Sequence, residues 1–400
     1  MLYITEPEKQ IPVMGEYDIA VCGGGVAGVA AALAAARHGA KVLLIEKQFA
    51  LGGLATLGLV TIYLPVCDGM GRQVSFGIAE ELLKVSIRHG WEEKYPAPWL
   101  EGGTAEEKTR HRYEVQYNAS AAAILWEQLL LENGVEILYG TSVCAVQTEN
   151  DKITALILEN KSGRQAVKVS AVADCTGDAD ICVQCGVETA LFEQKNVLAA
   201  WYYELKDREL KLQPLGYCDV PDKFKTPEKI ANDTRKRYQS IDGKEITGQV
   251  IDMHAWQLQN FLESGEVSME HNLTSIGTIP LVRMTRRIVG EYTMDDTEMH
   301  KEFADSVGLF SDWRKAGPVY ELPFSTLYNK KIKNLAVAGR CISNTDAMWD
   351  ITRVIPVCAV SGQAVGTALA MTADLTALDI HALQNALRED GVRLHEKELE

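Results

Sequence analysis

The sequence predicts an α/β fold organised on a central, mainly parallel sheet, and three features of residues 17–46 carry that expectation. A short apolar run, Ile19–Cys22, has the unbroken hydrophobicity of a strand buried on both faces. Gly23, Gly25 and Gly28 follow at the spacing G-x-G-x-x-G and open a helix, Val26–Arg37, composed almost wholly of Ala and Val. A second apolar run, Lys41–Ile45, ends on an acid, Glu46. Strand, glycine turn, slim helix, strand and terminal acid make up the Rossmann-type unit that holds a dinucleotide. The first glycine permits the tight turn, the second lets backbone approach a pyrophosphate, and the third lets the helix pack close to the strand. Free amides and the dipole at the helix start, where Val26 and Ala27 lie, face the phosphates. Glu46 accepts ribose hydroxyls and repels a 2′-phosphate; Lys47 directly after it belongs to the same predicted cradle.

Size and charge narrow the remainder. A chain of 400 residues can bury a large core and suggests two or three domains. Its net charge of −15 argues against nucleic acid or an anionic membrane as main partner. No apolar run reaches bilayer length, and MLYITEPEKQ lacks the apolar core of a signal peptide, so a cytoplasmic location is expected. The nine cysteines are odd in number and scattered, which reads as free thiols in a reducing compartment. Cys182 and Cys185 form a C-x-x-C without a second pair, and the histidines lack ligand spacing, so no metal is expected.

In chain order, Ile78–His89 and Ala119–Glu132 read as helices, the second ending at Asn133-Gly134. Residues 91–118, rich in Pro, Gly and charge, read as a loop or insertion. Val135–Tyr139 is a strand. Val143–Thr148, Ile153–Asn160 and Gln165–Val169 read as an antiparallel meander turning at Asn150-Asp151 and Ser162-Gly163. An apolar strand then runs from Ala171 into Thr176-Gly177-Asp178 and a helix, whose free amides Asp178 or Asp180 could cap. From 187 to 328 charges and aromatic residues rise and glycines thin out, with helices expected over 226–239 and 247–264. Arg283, Arg286 and Arg287 lie close together there, a cluster suited to an anion or to internal acids. The α/β texture returns with Leu335–Ala338, then Gly339-Arg340, then Pro356 leading a small-residue helix through Gly362-Gln363-Ala364. Residues past Asp374 read as a terminal helix.

These blocks resemble the FAD-dependent oxidoreductase family sometimes labelled xanthan-lyase-like, within the glutathione-reductase-like flavoproteins. The resemblance covers 17–59, where Gly52, Gly53, Ala55 and Thr56 match a GG-x-x-T stretch. It continues over 171–186, over the T-R-R-I-V-G run of 280–292, and over 320–368 with L-P-F-S-T-L, N-L-A-V-A-G-R-C-I-S, R-V-I-P-V-C and G-Q-A-V-G. It implies a Rossmann-like FAD-binding domain with a central parallel sheet and β-meander, interrupted by an α+β substrate domain, and noncovalent FAD. It places the pyrophosphate and flavin along Gly52–Thr56, the adenine near Val143, the nucleotide above Thr176, Gly177 and Asp178, and the flavin edge against Gly339, Arg340, Pro356, Gly362, Gln363 and Ala364. One departure stands out. Resembled proteins often carry Thr-His where this chain has Thr345-Asp346, and an ordinary Asp is a weaker base than imidazole.

The expected division is 1–186 for the first part of the FAD domain (with an insertion at about 60–118), 187–328 for a substrate or cap domain, and 329–400 for the return segment and C-terminal helix. Arg353, Arg286 and Asp346 are the expected catalytic residues, the arginines orienting an anion or polarising a carbonyl, Asp346 handling a proton. The expected reaction is hydride transfer between flavin N5 and a small polar, anionic or carbohydrate-like molecule. Rival expectations are reduction of an activated double bond, or electron transfer to a partner without small-molecule turnover. Substrate, a second redox partner and a homo-oligomer are the partners that such a protein admits.

Overall fold

The computed structural model describes residues 2–216, 226–227 and 236–399. Val13–Cys22 forms β1, buried over its last four residues, and Val42–Ile45 forms β2, buried throughout. Between them runs α1, Val26–Arg37, buried from Val26 to Ala35 because its small side chains let it lie flat on the sheet. Glu136–Leu138 (β3) pairs parallel with β2, and β2 with β1.

Ser142–Glu149 (β4), Lys152–Asn160 (β5) and Gly163–Asp174 (β6) form the antiparallel meander. Its first turn places Asn150 and Asp151 at φ 51° and 61°, the left-handed pair that a two-residue hairpin requires. The two runs expected around 165–169 and from Ala171 onward join into one strand. The first half of β6 pairs antiparallel with β5, its second half parallel with Leu335–Val337 (β7), while β1 runs parallel beside it. Where the ladder forks, buried Asn334 accepts the Ile153 N–H at 2.8 Å and donates to the Ile153 and Ser170 carbonyls, both at 2.8 Å. The sheet order is therefore β3-β2-β1-β6-β5-β4, with β7 also on β6.

Helix α2, Ile78–Ser86, stops three residues short of the expected end, and α3, Ala119–Glu132, follows with Asn118 accepting the Ala121 N–H at 2.9 Å. The stretch 91–118 is more ordered than a loop. Trp91–Glu93 and Val115–Tyr117 pair with each other, and the latter also with Ile62–Tyr63. Such strands are too short to show a period in sequence, and they hold through the buried rings of Tyr63, Tyr113 and Tyr117.

After α4, Asp180–Gln184, the chain builds a second sheet. Ala200–Lys206 pairs antiparallel with Glu209–Leu215 and with His271–Ile276, and α5, Gly243–Glu263, packs on it. Helix α5 starts four residues before the expected point because Asp242 accepts from the Lys244 and Glu245 amides at 2.9 and 3.0 Å. Most of the helix expected over 226–239 lies outside the described residues. Within it, Arg237–Tyr238 is a short strand paired with Asn196–Val197, not helix.

Asp346–Thr352 (α6) and Ile355–Met371 (α7) return the chain to the first sheet, and Ile380–Glu389 (α8) follows. Helix α7 lies directly on α1: a Cβ on Gly362 would fall 2.3 Å from the Ala27 carbonyl oxygen, and one on Gly366 2.2 Å from that of Ala31. No single helix among the described residues is long and apolar enough to cross a membrane.

Candidate active site

A cavity of about 670 Å³ opens where β1, β2 and β6 end, within the range of small-molecule sites. Its wall takes Gly23, Gly25, Val26 and Ala27 from the glycine turn and α1, Glu46 and Lys47 after β2, and Gly52, Gly53 and Ala55 from the following loop. Val143, Thr176, Gly177, Asp178, Gly339, Arg340 and Arg353 complete the part anticipated from sequence.

The three glycines divide their work. Gly23 sits at φ +105°, and a Cβ there would lie 2.5 Å from the Cys175 carbonyl oxygen. A Cβ on Gly28 would lie 1.8 Å from the Gly23 carbonyl oxygen, so this residue is set by helix packing and does not reach the wall. A Cβ on Gly25 would meet nothing within 4 Å. That open space is kept on the cavity side, which is what close approach of a phosphate requires. Among the described residues no side chain caps the N-terminus of α1 or that of α7, where Val354 and Ile355 also line the cavity. Two helix starts with free amides thus meet one cavity, an arrangement that favours negative charge on a ligand.

Glu46 is 7% exposed, and its carboxylate takes the Gly24 N–H at 2.6 Å on one oxygen and the Gln48 N–H at 2.7 Å on the other. A carboxylate accepts about four hydrogen bonds, so capacity for ribose hydroxyls remains. The cradle, the free helix ends and this acid fit an adenine dinucleotide such as FAD.

Around Thr176-Gly177-Asp178 the structure corrects the expected cap. Neither Asp178 nor Asp180 caps α4; Asp174 does, accepting from the Ile181 and Cys182 amides at 3.0 and 3.1 Å and from the Thr176 hydroxyl at 2.6 Å. Burial pushes the Asp174 carboxyl up, and these hydrogen bonds only partly offset it. Asp178 instead accepts from the Thr285 hydroxyl at 2.6 Å and lies 3.4 Å from Arg340 Nη1. Gly177, at φ +80°, leaves room for the Arg340 guanidinium, which would lie 2.3 Å from a Cβ there.

The three expected catalytic residues are not brought together. Arg353 lines the cavity, its Nε and Nη2 held by Asp350 Oδ1 at 3.2 and 2.7 Å and its guanidinium 5.8 Å from the Trp313 ring. Arg286 lies outside the wall, donating to the Asp178 carbonyl at 2.8 Å and to Asp180 at 2.6 Å. Asp346 is also outside: as the first residue of α6 it accepts the Glu193 N–H at 3.0 Å, and burial pushes its carboxyl up. Of the arginine cluster it is Arg283 that lines the cavity. Arg286–Ile288 pairs with Thr189–Leu191, while Arg283 precedes that strand and donates its amide to Asn196 at 3.1 Å.

Several residues anticipated at the cofactor serve packing one layer back. Thr56 is buried and its hydroxyl bonds the Leu51 carbonyl. Gly362 seats α7 on α1, Ala364 is fully buried in α7, and Gln363 Oε1 accepts the Ile78 N–H at 2.8 Å, capping α2. Pro356 lies in the first turn of α7 and is off the wall. Conversely, Ser240, Ile246, Ile279 and Val282 from the second sheet's region line the cavity, along with Cys358. No motif marks Ser240, Ile246 or Ile279, whereas Val282 lies in the 280–292 block and Cys358 ends R-V-I-P-V-C. Burial pushes the Cys358 thiol up to about 12, so it stays protonated near neutrality. The C-x-x-C thiols behave alike: burial raises Cys182, and pushes Cys185 up to about 12.

The family described as FAD dependent oxidoreductase matches residues 18–199 and 196–387. Over 186 residues the chain is 30% identical to a vinyl phenol reductase of Lactiplantibacillus plantarum, covering 40% of this chain and 38% of that protein. Over 71 residues it is 35% identical to a thioredoxin reductase of Ureaplasma parvum, covering 18% of this chain and 23% of that one. The chain thus spans well under half the length of these curated relatives. Among solved structures, glycine oxidase from Bacillus cereus is 14% identical, with 90% of this chain and 98% of that chain covered and a TM-score of 0.41.

Proposed function

The chain belongs to the FAD dependent oxidoreductase family, and from that membership we propose that it moves a hydride between a small polar or anionic molecule and N5 of noncovalently held FAD. It is an FAD-dependent oxidoreductase, and FAD is its cofactor. The observation that carries the finer reading is the meeting, at one cavity, of two uncapped helix starts with Arg283, Arg340 and Arg353. When bound, the flavin supplies the two-electron chemistry.

The chain's own residues bind, orient and exclude water. Amides at the start of α1 take the pyrophosphate, with Gly25 leaving the space for it, and Glu46 takes the ribose. The start of α7 would favour negative charge on a flavin edge set against it. Arg353, fixed by buried Asp350, orients an anionic group or polarises a carbonyl. Ile246, Ile279 and Val282 keep the adjoining wall dry. Asp346 keeps no proton-handling role in this reading, since it lies outside the wall. The free thiols among the described residues favour a cytoplasmic location.

A second reading is reduction of an activated double bond, favoured by the likeness to a vinyl phenol reductase and by that aliphatic wall. One experiment tests both. The FAD-loaded protein is mixed anaerobically with sugars, hydroxy acids and amines, and the dithionite-reduced protein with 4-vinylphenol. Bleaching of the flavin band by a donor supports the first reading, and its return with 4-vinylphenol supports the second. A flavin that responds to none of these compounds refutes hydride exchange with molecules of either class.

A further inference from the structure

We propose that the outward face of α5 pairs antiparallel with the same face of a second copy of this chain, making a two-fold dimer. The helix is apolar on two sides. On one, Met253 is buried with Leu198, Ala200 and Tyr238, Phe261 is buried against His271, and Ile246 reaches the cavity. On the other, Ile251, Leu258 and Leu262 are 62%, 51% and 55% exposed, and Ala255 between them is exposed too. A contiguous row of aliphatic side chains left in water marks an interaction surface.

Spacing decides the kind of partner. Lys244, Gly248, Ile251, Ala255, Leu258 and Leu262 follow one another at steps of four, three, four, three and four residues. That is the repeat of a coiled-coil seam, in which two helices cross at about 20° and stay in contact along their length. The partner is therefore another helix carrying the same repeat.

The row complements itself in one direction. In an antiparallel pair with its two-fold axis level with residue 253, Ile251 of each copy meets Ala255 of the other, and Leu258 meets Gly248. Each large side chain then faces a small one. A Cβ on Gly248 would meet nothing within 4 Å, so that place is open to the leucine. The Lys244 stem covers Leu262 of the other copy, and its ammonium comes within a turn of Glu263 and Glu266 there, all of them exposed. A parallel pair would set Lys244 on Lys244, Leu258 on Leu258 and Gly248 on Gly248, bringing like charges together and leaving gaps at the small residues. The face is basic at its start and acidic at its end, and this charge order selects a second copy in the antiparallel sense.

A single helix pair lies at the low end of interface sizes, below about 1,200 Å², and a dissociation constant of about 1–50 μM is expected. The test is sedimentation velocity of the FAD-loaded protein from about 0.5 to 200 μM, across which wild type should pass from monomer to dimer. Leu258→Glu, at an exposed position turned away from the cavity, is expected to keep FAD and to weaken association about 100-fold or more, because it puts two carboxylates into the seam. Lys244→Glu sets acid against Glu263 and Glu266 and is expected to weaken association about three- to tenfold. Adding Glu263→Lys and Glu266→Lys to it reverses both ends of the face and should restore the wild-type dimer. A monomer at every concentration, a dimer that Leu258→Glu leaves intact, or a charge-reversed triple variant no tighter than Lys244→Glu overturns the pairing.

Discussion

Gly25→Ala separates the cost of folding from the cost of binding FAD. The residue has φ −66° and ψ 178°, an extended conformation open to alanine, and a Cβ there would meet nothing within 4 Å. The apoprotein should therefore keep its stability or gain about 0.4–1 kcal/mol, because alanine restricts the unfolded chain. The same substitution at Gly28 places a Cβ 1.8 Å from the Gly23 carbonyl oxygen and 3.0 Å from its carbon. That backbone is itself wedged against Cys175, so α1 must move off the turn, and overpacking of this kind costs about 1–3 kcal/mol or more. With FAD the order changes. A methyl at Gly25 fills space needed for close approach, and losing one charge-assisted amide–phosphate bond at about 1.5–3 kcal/mol weakens binding by about 10- to 150-fold. Denaturant unfolding of the apoproteins and titration with FAD, read by quenching of its fluorescence, give both quantities. If Gly25→Ala unfolds as easily as Gly28→Ala, or binds FAD within about threefold of wild type, the cradle has been misread.

Two further outcomes follow from buried charge. Asp350 is fully buried between Arg353 and Arg314, so Asp350→Ala should cost about 3–5 kcal/mol in denaturant unfolding, whereas breaking the exposed Arg110–Glu106 pair should change nothing measurable. A loss no larger than that of the exposed pair would show that Asp350 does not hold the arginines. Burial pushes the Glu396 carboxyl up, but hydrogen bonds from His300 and Arg72 outweigh it and leave it below the ordinary value. Its contribution is then complete above the unfolded value of about 4.3 and disappears as pH falls through the folded one. Amide exchange over residues 392–399 should accelerate as pH drops below about 4 relative to an unfolded-peptide reference. Glu396→Gln should already exchange faster at neutral pH and show a flatter profile, and matching profiles would count against the pairing of Glu396 with His300 and Arg72.

What could be read from the chain was what short-range geometry controls. Gly23, Gly25, Gly28 and Glu46 act within one strand–turn–helix–strand unit, so their spacing carries their placement. The meander was legible for the same reason: alternating residues and tight turns specify neighbouring strands. Arg286 and Asp346 lie off the wall and Arg283 on it, because contacts with distant segments hold each of them: Asp178 and Asp180 for Arg286, Glu193 for Asp346 and Asn196 for Arg283. Asp174 took the cap expected of Asp178 or Asp180 because β6 ends pointing at the helix start, a matter of chain direction and not of residue type.

By itself, then, the sequence determined the nucleotide-binding fold, since backbone freedom at a few glycines and hydrophobic period are local properties, and the family resemblance of its motifs implied FAD. Tertiary structure alone decided the rest of the cavity wall. Gly362 and Gln363 read as flavin contacts, yet the packing of α7 on α1 and α2 turns them inward. Ser240 lies in no motif, and its loop joins the wall because Asn196 bridges segments far apart in the chain, at Tyr238 and at Arg283. Hydrogen bonds between distant segments leave no period or spacing in a sequence.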